Sequence, residues 1–205
     1  MTSIELPEPS IENSNDITGT IAARASRRKY AGGPVSIETV SQLLWAAQGV
    51  THQTDDIEMR AAPSAGATYP LELFVEIVPE GCEDLATGLY QYQPSAHGLE
   101  VVSESPIHER LVDAALNQQV VRNAPATLVI AAEFNRTMSQ YPDHGRRYVH
   151  MEAGHAAQNV QLVCETRGLS NCPVGAFDDD ALAGALSLPD QLDPLYLLPF
   201  GPRPE

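Results

Sequence analysis

Apolar positions recur at two spacings along the chain, and the spacing says where helices and strands lie. From Ile37 the residues Val40, Leu43, Leu44 and Ala47 follow at intervals close to i, i+3, i+4 and i+7, the stripe of an amphipathic helix. Ser36 stands where its N-cap belongs, and Gly49 ends it at the C′ position. A first helix is predicted from about Ile17 to Arg27, with Gly32-Gly33-Pro34 breaking the chain after it. Leu71, Leu73, Val75 and Ile77 alternate with Glu72 and Glu76, which predicts a half-buried strand over 71–78. Leu89–Tyr92 and Leu99–Val102 flank Pro94-Ser95-Ala96-His97-Gly98, the pattern of a hairpin. Ser105-Pro106 opens a helix through about Leu116, with Ile107, Leu111, Ala114 and Ala115 on one face. Ala126–Phe134 is a continuous apolar run, short enough for a central strand.

The longest predicted helix runs from about Arg146 to Arg167, with Gly168 as its stop. Met151, Ala153, Gly154, Ala156, Ala157, Val160, Leu162 and Val163 make it apolar nearly all round. Such a helix is buried on several sides. It is either an ordinary core helix or one whose outer face a second copy covers. Asp178-Asp179-Asp180 opens a short helix, since carboxylates suit a helix N-terminus. Leu195–Phe200 closes the chain as a strand. Residues 51–70 read as a long irregular stretch, and residues 1–16, acidic and polar with two prolines, as a flexible acidic arm. The pattern is α+β, with residues 17–205 forming a single domain. A chain of this size hides about 70% of its extended surface on folding, enough for a true core.

Charge narrows the partners. Twelve basic residues against 27 acidic ones give a net charge of −15. That argues against nucleic-acid binding, which needs a basic face, and against docking on anionic lipid. Lys29 is the single lysine; the other 11 basic residues are arginine. An acidic, lysine-poor chain suits a high-salt interior or a genome rich in arginine codons. Three cysteines, Cys82, Cys164 and Cys172, with no C-x-x-C, suggest neither a disulfide framework nor a zinc site. No basic n-region with an apolar h-region opens the chain, and no apolar run reaches the ~20 residues of a membrane span. The expectation is a reduced, cytoplasmic protein away from the membrane.

The motifs of the common nucleotide and hydrolase sites are absent: no G-x-G-x-x-G, P-loop, H-E-x-x-H or G-x-S-x-G. Three segments carry positive signals. Arg24-Ala25-Ser26-Arg27-Arg28-Lys29-Tyr30 gathers four of the 12 basic residues in six positions. It is either a phosphate grip, with arginine forks and a serine hydroxyl, or a helix C-terminus whose cations suit the dipole. The loop Pro63–Pro70 has small residues that let backbone approach a flat ligand, or is a plain loop before a strand. Pro173-Val174-Gly175-Ala176-Phe177 offers consecutive N–H donors to a ring, or is a common turn.

In this order the segments resemble the nitroreductase family of FMN enzymes, and most of all its SagB-type branch, the azoline dehydrogenases of peptide-tailoring pathways. The matching stretches are R-x-S at Arg24 and Ser26, L-L-W-A-A-Q-G at Leu43–Gly49, and A-P-S-A-G-A-x-Y-P at Ala62–Pro70. They continue with G-L-Y-x-Y-x-P-x-x-H-x-L from Gly88 to Leu99, E-A-G-H-A-A-Q-N from Glu152 to Asn159, V-G-A-F at Val174–Phe177 and a terminal L-P-F-G-P. The resemblance covers residues 20–203. It implies a three-layer fold, a central, mostly antiparallel sheet flanked by helices, in an intertwined homodimer with FMN between the subunits. It implies that Arg24 and Ser26, with Arg28 beside them, hold the FMN phosphate and ribityl tail, and that Arg203 reaches the phosphate. Pro63, Ser64, Ala65, Gly66 and Ala67 would touch the partner's cofactor, and Val174, Gly175 and Ala176 would cover the isoalloxazine. Backbone N–H groups there would stabilise negative charge on reduced flavin.

The implied activity is an FMN-dependent oxidoreductase, taking electrons from NAD(P)H or an organic substrate and giving them to an acceptor in ping-pong order. Two other readings stand beside it: a SagB-type azoline dehydrogenase working with partner proteins, and a non-enzymatic flavin-binding or structural subunit. The azoline-oxidising members carry a Lys-Tyr pair before the long helix. Here Tyr141 is present as a candidate proton donor, but Gln140 stands where lysine is expected, and an amide is no general base near neutral pH. His144, near Tyr141, is a further candidate acid. His97 reads as a hairpin residue. His150 and His155, five apart, fall on different helix faces and make a poor metal pair, so no metal is expected.

Overall fold

The computed structural model describes residues 2–9, 16–54 and 57–205. In chain order its elements are β1 (Ser3–Glu5), α1 (Ile17–Ala23), α2 (Ile37–Gln48), β2 (Val50–Gln53), β3 (Glu58–Arg60), a 3-10 turn (Ala65–Ala67), β4 (Leu71–Ile77) and β5 (Gly88–Gln93). A second 3-10 turn (Pro94–Ala96) leads to β6 (Gly98–Ser103), α3 (His108–Ala114), α4 (Gln119–Arg122), β7 (Ala126–Ala132), α5 (Phe134–Met138), α6 (Gly145–Thr166), β8 (Leu169–Asn171), α7 (Asp179–Leu186) and β9 (Asp193–Pro202).

Seven strands form one sheet in the order β1-β6-β5-β4-β7-β9-β8, every neighbouring pair antiparallel. Because side chains alternate across a strand, the sheet has two apolar faces. Leu71, Leu73, Val75 and Ile77 of β4 meet Leu43, Leu44 and Ala47 of α2 and Ala153, Ala156 and Val160 of α6 in one core. Phe74 of β4, Val129 of β7 and Leu197 of β9 meet Leu111 and Val112 of α3, Val121 of α4 and Leu182 and Leu186 of α7 in the other. The result is three layers, helices on both sides of an antiparallel sheet, as expected for an α+β chain. No helix of the described residues is long and apolar enough to cross a membrane.

Six local expectations are corrected. The first helix stops at Ala23 rather than Arg27, so Arg24 to Tyr30 runs extended past it and no basic residue lies in its last turn. The strand over Leu71–Ile77 is buried on both faces rather than half-buried; Glu76 is 1% exposed because it faces the second helical layer and pairs with His108. The stretch 51–70 contains the β2–β3 hairpin and the 3-10 turn at Ala65–Ala67. Within the predicted acidic arm, Ser3–Glu5 pairs with β6 and Leu6 is buried; residues 10–15 of that arm lie outside the described residues. The long helix is two-faced: Val149, Ala153, Ala156, Ala157 and Val160 are buried, whereas Met151, Gly154 and His155 are exposed. Gly49 caps α2 with φ −64, in extended backbone, and is not left-handed.

Candidate functional site

The sequence-predicted residues fall into two groups, set apart along α6. The first lies at its C-terminal half. The extended segment after α1 is laid along the sheet edge by Arg27 N donating to Asn171 O (2.9 Å), Ala31 N to Pro202 O (2.9 Å) and Tyr30 Oη to Val120 O (2.9 Å). This places Arg27, Arg28 and Lys29 beside Ser170, Arg203 and Pro204, around a cavity of about 420 Å³. Glu165 of α6 is the carboxylate between these cations. It accepts from both terminal nitrogens of Arg203 (3.0 Å each) and from Arg27. Arg24 donates to Gln161 Oε1 of α6 (3.1 Å). Ser26 and Arg28 are exposed and make no hydrogen bond or ion pair among the described residues. Ser170 Oγ and Arg203 Nε are buried without a partner. A cavity ringed by four cations against one carboxylate, with orphaned buried polar atoms in its lining residues, suits a phosphate group.

Val174 to Ala176 continue from β8. Val174 is buried, and its N–H and C=O are both exchanged with Leu197 (2.8 and 3.0 Å), so Val174 has no donor left for a ring. Gly175 and Ala176 are exposed, and neither N–H has a partner among the described residues. Ala176 is pinned through its carbonyl, which accepts from Gln118 Nε2 (2.7 Å).

The second group lies at the N-terminal half of α6. Glu165 follows Glu152 by thirteen positions, about 20 Å of helix axis. The Pro63–Ala67 loop packs against the turn between α5 and α6. Gly66 has φ 62, and a Cβ there would collide with the Gln140 amide oxygen and lie 2.8 Å from the Tyr141 hydroxyl. Gln140 and Tyr141 are therefore seated on the loop. Their turn is closed by Tyr141 N donating to Thr137 O (2.9 Å) and Gly145 N to Tyr141 O (2.7 Å). Tyr148 crosses the Tyr141 ring edge-on, with centroids 5.4 Å apart. His144 is exposed beside Tyr148. His97 sits in the hairpin with its ring nitrogens against Tyr92 Oη (2.8 Å) and Pro7 O (3.0 Å), both engaged in the fold.

Sequence reasoning missed a buried polar network beneath this loop. Glu152 lies there, 3% exposed. Burial raises the Glu152 carboxyl to about 7, against the hydrogen bonds of Ser64 and Gln48 and the charge of Arg60. Gln48 Nε2 donates to Glu152 Oε1 (3.3 Å), and Arg60 Nη1 donates to Gln48 Oε1 (3.3 Å). Burial lowers the Arg60 guanidinium, although surrounding carboxylates oppose this. The available signal was Glu152 itself, an acidic residue in register with Val149, Ala153, Ala156 and Val160 on the buried face. Ser170 and Glu165 carried no comparable signal, because they become site residues through distant chain segments.

Comparison with known proteins places the chain among nitroreductase-family relatives. The model of the nitroreductase family matches residues 21–202. A Methanocaldococcus jannaschii protein named as a nitroreductase is 38% identical over 202 residues, 98% of each chain. The microcin B17-processing protein McbC of Escherichia coli is 28% identical over 172 residues, 82% of this chain and 62% of McbC. The fold superposes on the crystal structure of a Ralstonia eutropha protein, also named as a nitroreductase, with a TM-score of 0.83 at 26% identity, covering 99% of this chain and 90% of that one. It also superposes on a chain of the Escherichia coli microcin synthetase McbBCD complex with truncated pro-MccB17 bound, with a TM-score of 0.74 at 25% identity, covering 98% and 78%.

Proposed function

The chain belongs to the nitroreductase family, and on that premise we propose that it is an FMN-dependent oxidoreductase acting as a homodimer. Electrons pass from NAD(P)H or an organic substrate to an acceptor in ping-pong order. The observation that carries this reading is the cation-ringed cavity whose lining residues Ser170 and Arg203 each keep a buried polar atom unpartnered. Arg28, Ser26 and Arg203 would hold the phosphate there, with Arg24 along the ribityl tail. When bound, FMN supplies the redox chemistry.

The protein's own residues do the rest. The free N–H groups of Gly175 and Ala176 are donors for the electron-rich edge of a ring, where fixed dipoles stabilise developing negative charge. Glu165 keeps Arg203 and Arg27 oriented before any anion arrives, so the grip loses little freedom on binding. Pro63–Ala67 faces the cofactor of the other copy. Tyr141, seated on that loop, holds a phenolic proton at Oη above Gly66, while Gln140 beside it neither accepts nor releases a proton near neutral pH.

The test is the visible absorption spectrum of the purified protein, with the cofactor released by heat and identified. Two flavin bands and released FMN are expected, with anaerobic bleaching by a nicotinamide donor. Arg203→Ala should weaken FMN binding at least about tenfold, the loss of one charge-assisted phosphate contact. A colourless protein that stays colourless after incubation with FMN overturns the reading. Bound FMN that no nicotinamide or organic donor bleaches would leave a flavin-binding subunit without this activity.

The similarity to McbC and the McbBCD chain favours a second reading, a dehydrogenase for azoline rings in a peptide, working with partner proteins. With Gln140 in place of lysine, such an activity needs another base. Wild type would then oxidise an azoline peptide, and Gln140→Lys would change the rate little. Activity that appears only in Gln140→Lys would instead show that a lysine-dependent step is missing from this chain.

A further inference from the structure

A cavity of about 320 Å³ opens at the end of the sheet where β4 begins and β5 ends. It shares no lining residue with the cation-ringed cavity. Gln48, Leu71, Leu73 and Tyr92, which line it, are buried, so it reaches into the fold. The space holds roughly ten water-sized groups at about 30 Å³ each.

Arg60 is the cation of this cavity. Half-buried arginines elsewhere meet carboxylates: Arg27 and Arg203 meet Glu165, and Arg122 meets Glu109. Arg60 forms no ion pair among the described residues. Its Nη1 donates to Gln48 Oε1 (3.3 Å), and its guanidinium lies 4.5 Å over the Tyr69 ring. Nε is buried without a partner, and Nη2 makes no hydrogen bond among the described residues. Nε and Nη2 are the parallel donors of one edge of the guanidinium, the edge that a carboxylate takes with both oxygens. A half-buried charge with that edge open is uncompensated, and burial lowers the Arg60 guanidinium accordingly.

The carboxylates whose fields reach Arg60 are engaged elsewhere. Glu72 takes Arg136 Nη1 (2.7 Å) and Gln91 Nε2 (3.0 Å), Glu152 takes Gln48 Nε2 (3.3 Å), and Glu58 takes the Ser95 hydroxyl. Glu100, also in the lining, accepts only from Gln93 Nε2 (3.3 Å) and has no cation among the described residues. The cavity thus holds one open cation and one open anion. A phosphate would bring a second negative charge among these carboxylates, and a simple amine would leave Arg60 unmet. A molecule carrying both charges answers both.

We propose that this cavity binds a small α-amino acid as its zwitterion, with the carboxylate on the Nε–Nη2 edge of Arg60 and the ammonium against Glu100. The proposal is independent of the flavin reading. Through Tyr69, whose N–H donates to Ser64 Oγ (3.0 Å), the site borders the Pro63–Ala67 loop.

The test is isothermal titration calorimetry of the full chain at about pH 7, where both groups of an amino acid are charged. L-Alanine and L-glutamine are titrated beside propionate, ethylamine and inorganic phosphate. Propionate is alanine without its amine, and ethylamine is alanine without its carboxylate. At least one amino acid should bind, with propionate, ethylamine and phosphate about tenfold weaker or more. Arg60→Met, which keeps the stem over Tyr69, should weaken the amino acid and propionate alike by at least about tenfold. Glu100→Gln, which keeps a partner for Gln93, should weaken the amino acid to the level of propionate and leave propionate unchanged. Should Arg60→Met fail to fold, Glu100→Gln decides alone. No binding of either amino acid at about 10 mM overturns the proposal. So does propionate, ethylamine or phosphate binding as tightly as the amino acid, or amino-acid binding that Glu100→Gln leaves unchanged.

Discussion

Glu76 and Glu152 are both buried carboxyl groups, resolved in opposite ways. Glu76 is paired: its Oε1 lies 2.8 Å from His108 Nδ1, and the other ring nitrogen of His108 meets Arg122 O at 3.0 Å. The hydrogen bond to Glu76 is the main cause raising His108 above its ordinary value, with burial opposing it. A group whose folded value is raised stabilises fully below its unfolded value, near 6.5, and that stabilisation fades as pH rises through the folded value. His108→Gln leaves Glu76 buried without a countercharge. It should cost about 3 kcal/mol at pH 6 and less at pH 8, read by urea unfolding at both. Glu152 has no full countercharge in contact and is raised to about 7. Its share of stability is likewise complete below its unfolded value and lost as pH rises through about 7. Between pH 5 and pH 8 the stability of Glu152→Gln should therefore rise relative to wild type, by something on the order of 3 kcal/mol. Parallel unfolding curves for the two proteins across that range would contradict the buried, ionising carboxyl.

The elements that local pattern could specify are the ones the sequence predicts well. Helix α2 has a full apolar stripe, and Ser36 accepts from Thr39 N as its cap. Helix α7 starts where the aspartates say, with Asp178 accepting from Ala181 N. Strands β5 and β6 follow the predicted hairpin. What escaped was short or held from afar. Strands β1 and β8 have three residues each, too few for periodicity, and exist because β6 and β9 offer them edges. The end of α1 is likewise set at a distance, since the backbone of Arg27 bonds Asn171 rather than its own helix. The candidate site divides the same way. Arg24, Ser26, Arg28 and Arg203 were visible through motif and charge, but Ser170, Glu165 and Glu152 become partners only through folding. One short element deserves its own test. Helices α5 and α6 cross so closely at Gly145 that a Cβ would lie 2.7 Å from Met138 Cα, a backbone atom with little room to give. Gly145→Ala should cost about 2 kcal/mol of stability and displace the turn bearing Gln140 and Tyr141. Thermal unfolding with tyrosine fluorescence would register both, and an unperturbed protein would show that the crossing tolerates expansion.

At the scale of the molecule, the two groups of site residues share one helix but not one place on it. The cations gather around Glu165, and the small-residue loop around Glu152, about 20 Å of axis apart. A second copy, bringing its own loop to this chain's cation cavity, would complete the constellation. Helix α6 has a surface suited to that contact. Met151 and Gly154 are exposed on it, and α1, packed alongside, exposes Ile17 and Ile21. Apolar side chains of this size on a face flanking the site would suit contact with a second copy. Among the described residues, a Cβ at Gly154 would meet nothing within 4 Å beyond its chain neighbours and its own helix backbone, so the fold of one copy does not require glycine there. It leaves room for something else. Gly154→Arg is expected to keep the fold, with unchanged far-ultraviolet circular dichroism. It should convert a dimer to a monomer in light scattering, and lose FMN along with the dimer, because half of each cofactor site would leave with the partner. A Gly154→Arg protein that remained dimeric and held FMN would place the subunit contact on another face and separate the Pro63–Ala67 loop from the cofactor of the other chain.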